Sequence, residues 1–197
     1  MLLTKRELPI LVFNLIYVGI FTAVALGGSN HEFVLYAGVI VLLVALVVIK
    51  QQTLKFDPTI LWGLSLWGLL HMAGGNLHVR GTVLYSLQLI PIIPSYEILR
   101  YDHAVHMFGF GVATLICHHL LRPYVKTDVE RWRTLALLIV LMGSGVGALN
   151  EIIEFVAVVT VPETGVGGYE NTMLDLVFNL LGGLMAVAWL TWHRRPA

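Results

Sequence analysis

Six long apolar runs, separated by polar segments, account for most of the 197 residues of the chain. Each run is close to the roughly 20 residues that a helix needs to cross the hydrocarbon core of a bilayer. The runs lie at about 9–27, 33–49, 57–73, 103–121, 134–160 and 173–192. The pattern predicts an all-α fold, a polytopic membrane helix bundle of six transmembrane helices. All loops but one are short, so we expect one integral membrane domain over residues 1–197.

The distribution of basic residues predicts the orientation of these helices. With a cytoplasmic amino terminus, the inner segments would hold ten of the twelve lysines and arginines, and the outer segments only Arg80 and Arg100. Cytoplasmic loops carry such an excess of positive charge. We therefore expect both termini in the cytoplasm.

The long outer segment, residues 74–100, differs from the other loops. It is half apolar, contains Pro91 and Pro94, and is too short and too broken by proline to form another full span. Irregular backbone of this kind is tolerated at a membrane where it is buried in protein or lines a wet cavity. The segment is predicted to be an interfacial or re-entrant loop over the outer end of the bundle.

Composition narrows the classes of function. Hydrophobic residues make up 57% of the chain and charged residues only 12%, about half the share found in soluble domains. The net charge is zero and there is no polybasic run, which excludes nucleic acid as an expected partner. Cys117 is the single cysteine, so an internal disulfide and a multi-cysteine metal site are both excluded.

Ionisable residues of the last three spans gather at one depth, near the predicted outer face. They are Asp102, His103 and His106 in the fourth span, Glu151 and Glu154 in the fifth, and Asp175 in the sixth. Three pairs stand four residues apart and so share a helix face: Asp102 with His106, Asn150 with Glu154, and Asp175 with Asn179. Intramembrane acids of this kind usually face the bundle interior, find partners and mark functional sites.

Four acids at one depth need cations, because they cannot pair with one another without repulsion. Arginine, protonated histidine and a metal ion are the alternatives, and carboxylates with imidazoles suit zinc, manganese or iron. We predict a divalent transition metal with ligands among Asp102, His106, Asp175, His103 and His71. His71 could instead only cap the turn that ends its helix, and His103 could instead face the membrane interface.

Other polar residues near this depth are assigned supporting roles. Glu151 and Glu154 are the predicted catalytic residues. Glu151 would act as ligand or general base, and Glu154 could instead simply be hydrated. Asn150 and Asn179 would orient the acids. His78, Arg80 and Arg100 either anchor the outer segment in the interface or steer an anionic head group towards the site.

Four stretches of the sequence resemble a known family. They are LHMAGG at 70–75, YDHAVHMFGFG at 101–111, NEIIEF at 150–155 and YENTMLDLVFNLLGG at 169–183. They resemble the YjdF-type family of uncharacterised bacterial inner-membrane proteins over about residues 55–190. The order Asp102, His106, Glu151, Asp175, Asn179 is more distantly similar to the VanZ-like family. The resemblance implies a multi-pass protein of the bacterial inner membrane.

Three classes of function remain open at this point. A membrane-embedded metalloenzyme would polarise a phosphoryl or carbonyl group of a lipid, lipid-linked or anionic substrate and activate water. A proton- or ion-coupled transporter would use the same acids and histidines as a relay, although its site should lie nearer the bilayer midplane. A non-catalytic membrane subunit is the third class.

Overall fold

The computed structural model describes residues 3–28, 30–93, 96–125, 131–160 and 167–193. Within these ranges the chain forms six α-helices: α1 Leu8–Gly27, α2 His31–Leu54, α3 Pro58–Asn76, α4 Tyr101–Leu121, α5 Trp132–Thr160 and α6 Tyr169–His193. Five of them, all except α3, are long and apolar enough to cross a membrane. A helical, multi-pass membrane architecture is therefore confirmed, whereas the count of six spans stays a prediction.

Several helices extend beyond the apolar runs that predicted them. α2 continues to Leu54 and α6 begins at Tyr169, where the predicted spans ended at 49 and began at 173. Local capping fixes two of the starts. At the start of α2, the Asn30 side chain accepts a hydrogen bond from the Phe33 amide. At the start of α3, Asp57 immediately precedes Pro58, and its side chain accepts from the Thr59 and Ile60 amides. Polar residues thus form helix ends that a hydropathy pattern does not include.

The chain divides into two compact units, Met1–Val105 and His106–Ala197. In the first unit, α1, α2 and α3 pack around a buried cluster that includes Tyr17, Phe33 and Met72. A Cβ on Gly75 would overlap the Phe33 ring, so this glycine lets α2 approach the end of α3. The prediction of a single domain stays a prediction.

A buried polar network links α1 to α3 within this unit. Asn14 Nδ2 donates to Ser65 Oγ at 2.6 Å and to the Ile10 carbonyl at 2.7 Å, and the Tyr17 hydroxyl donates to Asn14 Oδ1 at 2.9 Å. Interhelical hydrogen bonds of this type hold membrane helices in register.

Replacing Asn14 with alanine should lower the free energy of unfolding by about 1 kcal/mol, because Ser65 and Tyr17 lose a buried partner. The measurement is a denaturant titration of the purified protein in mixed micelles, followed by helical circular dichroism. Leu15→Ala is the control, since Leu15 lies next to Asn14 on the same helix and is exposed. Equal losses in the two variants would contradict a stabilising role of the network.

Between α3 and α4, the described residues 77–93 and 96–100 contain no α-helix. The first part of this loop is a hairpin in which His78 pairs with Val83, and both turn residues, Arg80 and Gly81, have positive φ. A short 3₁₀ turn follows at Leu84–Ser86. The exposed apolar residues of the loop, Leu89, Ile90, Ile92 and Ile93, suit an interfacial position.

The second unit contains most of α4 together with α5 and α6, which approach one another through glycines. A Cβ on Gly182 would overlap the Met107 carbonyl oxygen and lie 2.9 Å from the Gly111 nitrogen, so α4 and α6 are in backbone contact. On α5, a Cβ on Gly143 would overlap Thr114 Oγ1 of α4. Near the start of α5, where α4 and α6 end, Trp132, Leu135 and Ile139 form a buried apolar cluster.

Candidate functional site

His106 is the centre of a buried polar cluster in the second unit. Its Nδ1 atom lies 3.6 Å from Glu151 Oε1, and its Nε2 atom lies 4.0 Å from Glu154 Oε1 and 3.9 Å from Asp175 Oδ1. These side chains come from α4, α5 and α6. The structure therefore brings together one predicted metal ligand from α4, one from α6 and both predicted catalytic residues.

The three helices place these residues at the same level. At 1.5 Å per residue, His106 lies about 8 Å from the start of α4 and Asp175 about 9 Å from the start of α6. Glu154 lies about 9 Å from the end of α5 by the same rise. The close packing described above supports this arrangement, because Gly182 is two turns from Asp175 and Gly147 is one turn from Glu151.

Asn179 orients the imidazole of His106. Its Oδ1 atom lies 3.1 Å from His106 Nδ1, and since a side-chain carbonyl can only accept, Nδ1 carries the proton. In the neutral ring Nε2 then presents its lone pair to Glu154 and Asp175. Within the part of the chain that the structure describes, the buried Nδ2 group of Asn179 has no hydrogen-bond partner.

Two other asparagines hold the carboxylates. Asn150 Nδ2 donates to Glu154 Oε1 at 2.7 Å, one turn apart on α5. Asn171 Nδ2 donates to Asp175 Oδ2 at 2.6 Å, one turn apart on α6. Asn171 was not among the sequence predictions, although its i,i+4 spacing to Asp175 repeats the spacing from Asp175 to Asn179 and could have revealed it.

The acids of the cluster differ in their access to the exterior. The Asp175 and Glu151 side chains are 1% and 7% exposed, whereas Glu154 is 20% exposed. Glu154 is therefore the carboxylate of this cluster that an incoming molecule would meet first. The described arginines of the same unit, Arg122, Arg131 and Arg133, lie at the other end of α4 and α5.

The remaining predicted ligands lie in the first unit. Asp102 is one turn before His106 on α4, so the two share a face of that helix. His103 is fully buried, and its Nδ1 accepts from the Arg100 amide at 3.1 Å, as a residue in the first turn does when it caps its own helix. His71 Nδ1 lies 2.5 Å from the Tyr85 hydroxyl, with rings of Phe33, Tyr36 and Trp67 around it.

The three residues predicted to steer an anionic substrate also lie in the first unit, on the loop between α3 and α4. His78 and Arg80 are exposed in the hairpin. Arg100 forms an ion pair with Glu97 and immediately precedes α4. Their steering role stays a prediction.

The five described helices of membrane-spanning length and composition define an integral membrane protein. Its second unit holds a buried cluster of acids around one histidine. The chain belongs to the family described as "Predicted membrane protein (DUF2238)", which it matches over residues 9–196. No curated protein sequence and no solved structure matches it. The finer YjdF-type and VanZ-like resemblances stay predictions.

Proposed function

We propose that the α4–α6 unit binds one divalent transition metal and that the protein is a membrane hydrolase for an anionic or lipid-linked substrate. The observation that carries the proposal is the convergence of His106, Glu151 and Glu154, whose ligand atoms lie within 4.8 Å of one another. Asp175 adds a third carboxylate on the same imidazole.

The separations in this cluster support a metal better than a hydrogen-bonded network. His106 Nδ1 hydrogen-bonds to Asn179, so Nε2 would be the metal ligand. Nε2 lies 4.0 Å from Glu154 Oε1 and 3.9 Å from Asp175 Oδ1, and both distances are too long for hydrogen bonds. Two ligands that each lie 2.0–2.1 Å from a tetrahedral metal are about 3.3 Å apart, which small side-chain movements would reach here. Imidazole and carboxylate ligands together suit zinc, manganese or iron.

Charge supports the same conclusion. Glu151, Glu154 and Asp175 each have a carboxylate oxygen within 4.0 Å of the His106 ring, so three acids are gathered at one place, and this attracts a cation. Charged groups at such a depth in a bilayer need partners. A divalent cation would neutralise two charges at once and would favour the neutral, Nδ1-protonated form of His106 that Asn179 orients.

The side chains divide naturally into ligands and a proton acceptor. His106 and Asp175 are buried and would hold the metal, with Glu151 as a further ligand. Glu154 is more exposed and its carboxylate, oriented by Asn150, would accept the proton of an attacking water. The metal would supply Lewis acidity and lower the pKa of that water. Asn179 Nδ2 would donate a hydrogen bond to an oxygen of the bound substrate.

The proposed substrate follows from the position of the site. If α3 also spans the membrane, the protein would cross a bacterial inner membrane six times. Both termini would then lie in the cytoplasm, and the cluster would face the extracytoplasmic side. α3 has 19 residues and spans about 28 Å at 1.5 Å per residue, close to the hydrocarbon thickness. A site near the outer leaflet would meet lipid head groups, and a divalent metal held there would favour an anionic group such as a phosphate among them.

The transporter alternative is less well supported. A relay would need polar groups along the helices, whereas the end of this unit opposite the cluster is apolar around Trp132, Leu135 and Ile139. Apart from His106, the described histidines of this unit lie in the last turns of α4 and α6: they are His118, His119 and His193.

Elemental analysis of detergent-purified protein tests the proposal. We expect about one zinc, manganese or iron per chain after dialysis against metal-free buffer, and loss of that metal on treatment with a strong chelator. Metal-loaded and stripped protein are then compared for hydrolysis of lipid-linked phosphates. A chain that retains no metal and gains none on titration would eliminate the enzyme hypothesis, and proton flux in liposomes would then favour the transporter.

A further inference from the structure

A recess opens between α1, α2 and α3 in the first unit, remote in sequence from the polar cluster around His106. Its volume is about 80 Å³ and it is partly open. Its walls are mostly apolar, with Leu11, Val44, Val47 and Leu64 among the lining residues. A space of this shape and lining accepts a hydrocarbon chain more readily than water, which needs several polar partners.

A polar vestibule adjoins the recess. It has a volume of about 310 Å³, and Leu3, Glu7 and Gln51 line both spaces. Lys55 also lines the vestibule. α1 begins at Leu8 and α2 ends at Leu54, so the vestibule lies at one end of these helices, where a bilayer changes from hydrocarbon to head groups.

The vestibule offers an anion, a cation and an unused acceptor. Glu7 accepts hydrogen bonds from the Thr4 amide and from Gln51 Nε2, and these hold the pKa of its carboxyl below the usual value, so that it is an anion at neutral pH. Gln51 is 5% exposed, and its Oε1 atom is buried without a hydrogen-bond partner among the described residues. Lys55 is exposed and supplies the positive charge.

We propose that the recess and vestibule bind one bilayer phospholipid with a primary ammonium head group, such as phosphatidylethanolamine. One acyl chain lies along the recess. The ammonium donates hydrogen bonds to Glu7 and to Gln51 Oε1, and the phosphate lies near Lys55. A trimethylammonium head group has no N–H to donate, and the terminal glycerol of phosphatidylglycerol is neutral, so it offers Glu7 no cation and only the weaker hydrogen bond of a hydroxyl.

The test is native mass spectrometry of the full chain after exchange into an equimolar mixture of phosphatidylethanolamine, phosphatidylcholine and phosphatidylglycerol. We expect one tightly bound phosphatidylethanolamine per wild-type chain, favoured over phosphatidylcholine by roughly tenfold, as one charge-assisted hydrogen bond allows. Glu7→Gln should abolish that preference. Glu32→Gln, at the opposite end of α2, should retain it. Equal retention of the three lipids by the wild type would overturn the proposal.

Filling the recess separates chain binding from head-group binding. Val47→Trp should reduce the bound lipid by roughly tenfold or more, because the indole occupies the space of the acyl chain. Val41→Trp, the same change at an exposed position of α2, should leave lipid binding unchanged. Undiminished binding in a folded Val47→Trp variant would overturn the proposal, and if that variant does not fold, the Glu7→Gln result decides. Metal content is measured in parallel, since this proposal does not depend on the metal site.

Discussion

Replacement of His106 by alanine is expected to weaken metal binding by at least about 100-fold. Removal of a residue that only hydrogen-bonds to a metal ligand already lowers metal affinity by about 10–100-fold. His106 would itself be a ligand, and all three carboxylates of the cluster converge on it. The remaining acids would then face one another across the space of the ring. Affinity is measured by competition with a chromophoric chelator, beginning from metal-stripped protein.

His119→Ala is the matched control for this variant. His119 lies on the same helix but at its opposite end, more than three turns from His106, so its removal should not change metal affinity. Helical circular dichroism and gel filtration show whether both variants fold. If His106→Ala folds and binds metal as the wild type does, His106 is not a ligand and the cluster is a structural network.

The substitution Gly182→Ala should destabilise the protein by about 3 kcal/mol or more. A methyl group at this position would meet the Met107 carbonyl oxygen and the Gly111 nitrogen, and backbone atoms of a packed helix cannot move aside as a flexible side chain can. Separation of α4 from α6 would also draw His106 away from Asp175 and Asn179. Denaturant titration of the variant measures the first effect, and the metal competition assay measures the second.

The same substitution at Gly145 provides the control. A Cβ on Gly145 would have no neighbour within 4 Å, and alanine has a higher helix propensity than glycine by about 1 kcal/mol. Gly145→Ala should therefore be as stable as the wild type or slightly more stable. If the two alanine variants unfolded together, the backbone contact between α4 and α6 would not be a determinant of stability.

Apolar runs predict where most helices lie but not where they end. The predicted fourth and sixth spans began at residues 103 and 173, whereas α4 begins at Tyr101 and α6 at Tyr169. The residues by which these helices extend beyond the predicted starts are partly polar and include Asp102 and Asn171. α3 shows a second limitation: it is not among the helices apolar enough to cross a membrane, because polar residues that are buried within the protein, such as Ser65 and Asn76, lower its hydropathy. A hydropathy pattern reports contact with lipid, and these positions are determined by contacts within the protein.

The candidate site was predictable to the extent that helical spacing determines it. The i,i+4 relation between Asn150 and Glu154 and the common depth of His106 and Asp175 follow from the rise of a helix. The partners of His71 and His103 do not. The first histidine contacts Tyr85 on a loop whose path the sequence does not determine, and the second accepts from the Arg100 amide at the start of its own helix.

Thr114 fills the space opposite Gly143 and is fully buried, and beyond it Trp132, Leu135 and Ile139 form a buried apolar cluster. In an energised membrane most of the electrical potential would fall across this dry segment and little across the wetter end that holds Glu154. A cation that reaches His106 from that end would cross only a small fraction of the field. Occupancy of the site should accordingly be almost independent of membrane voltage.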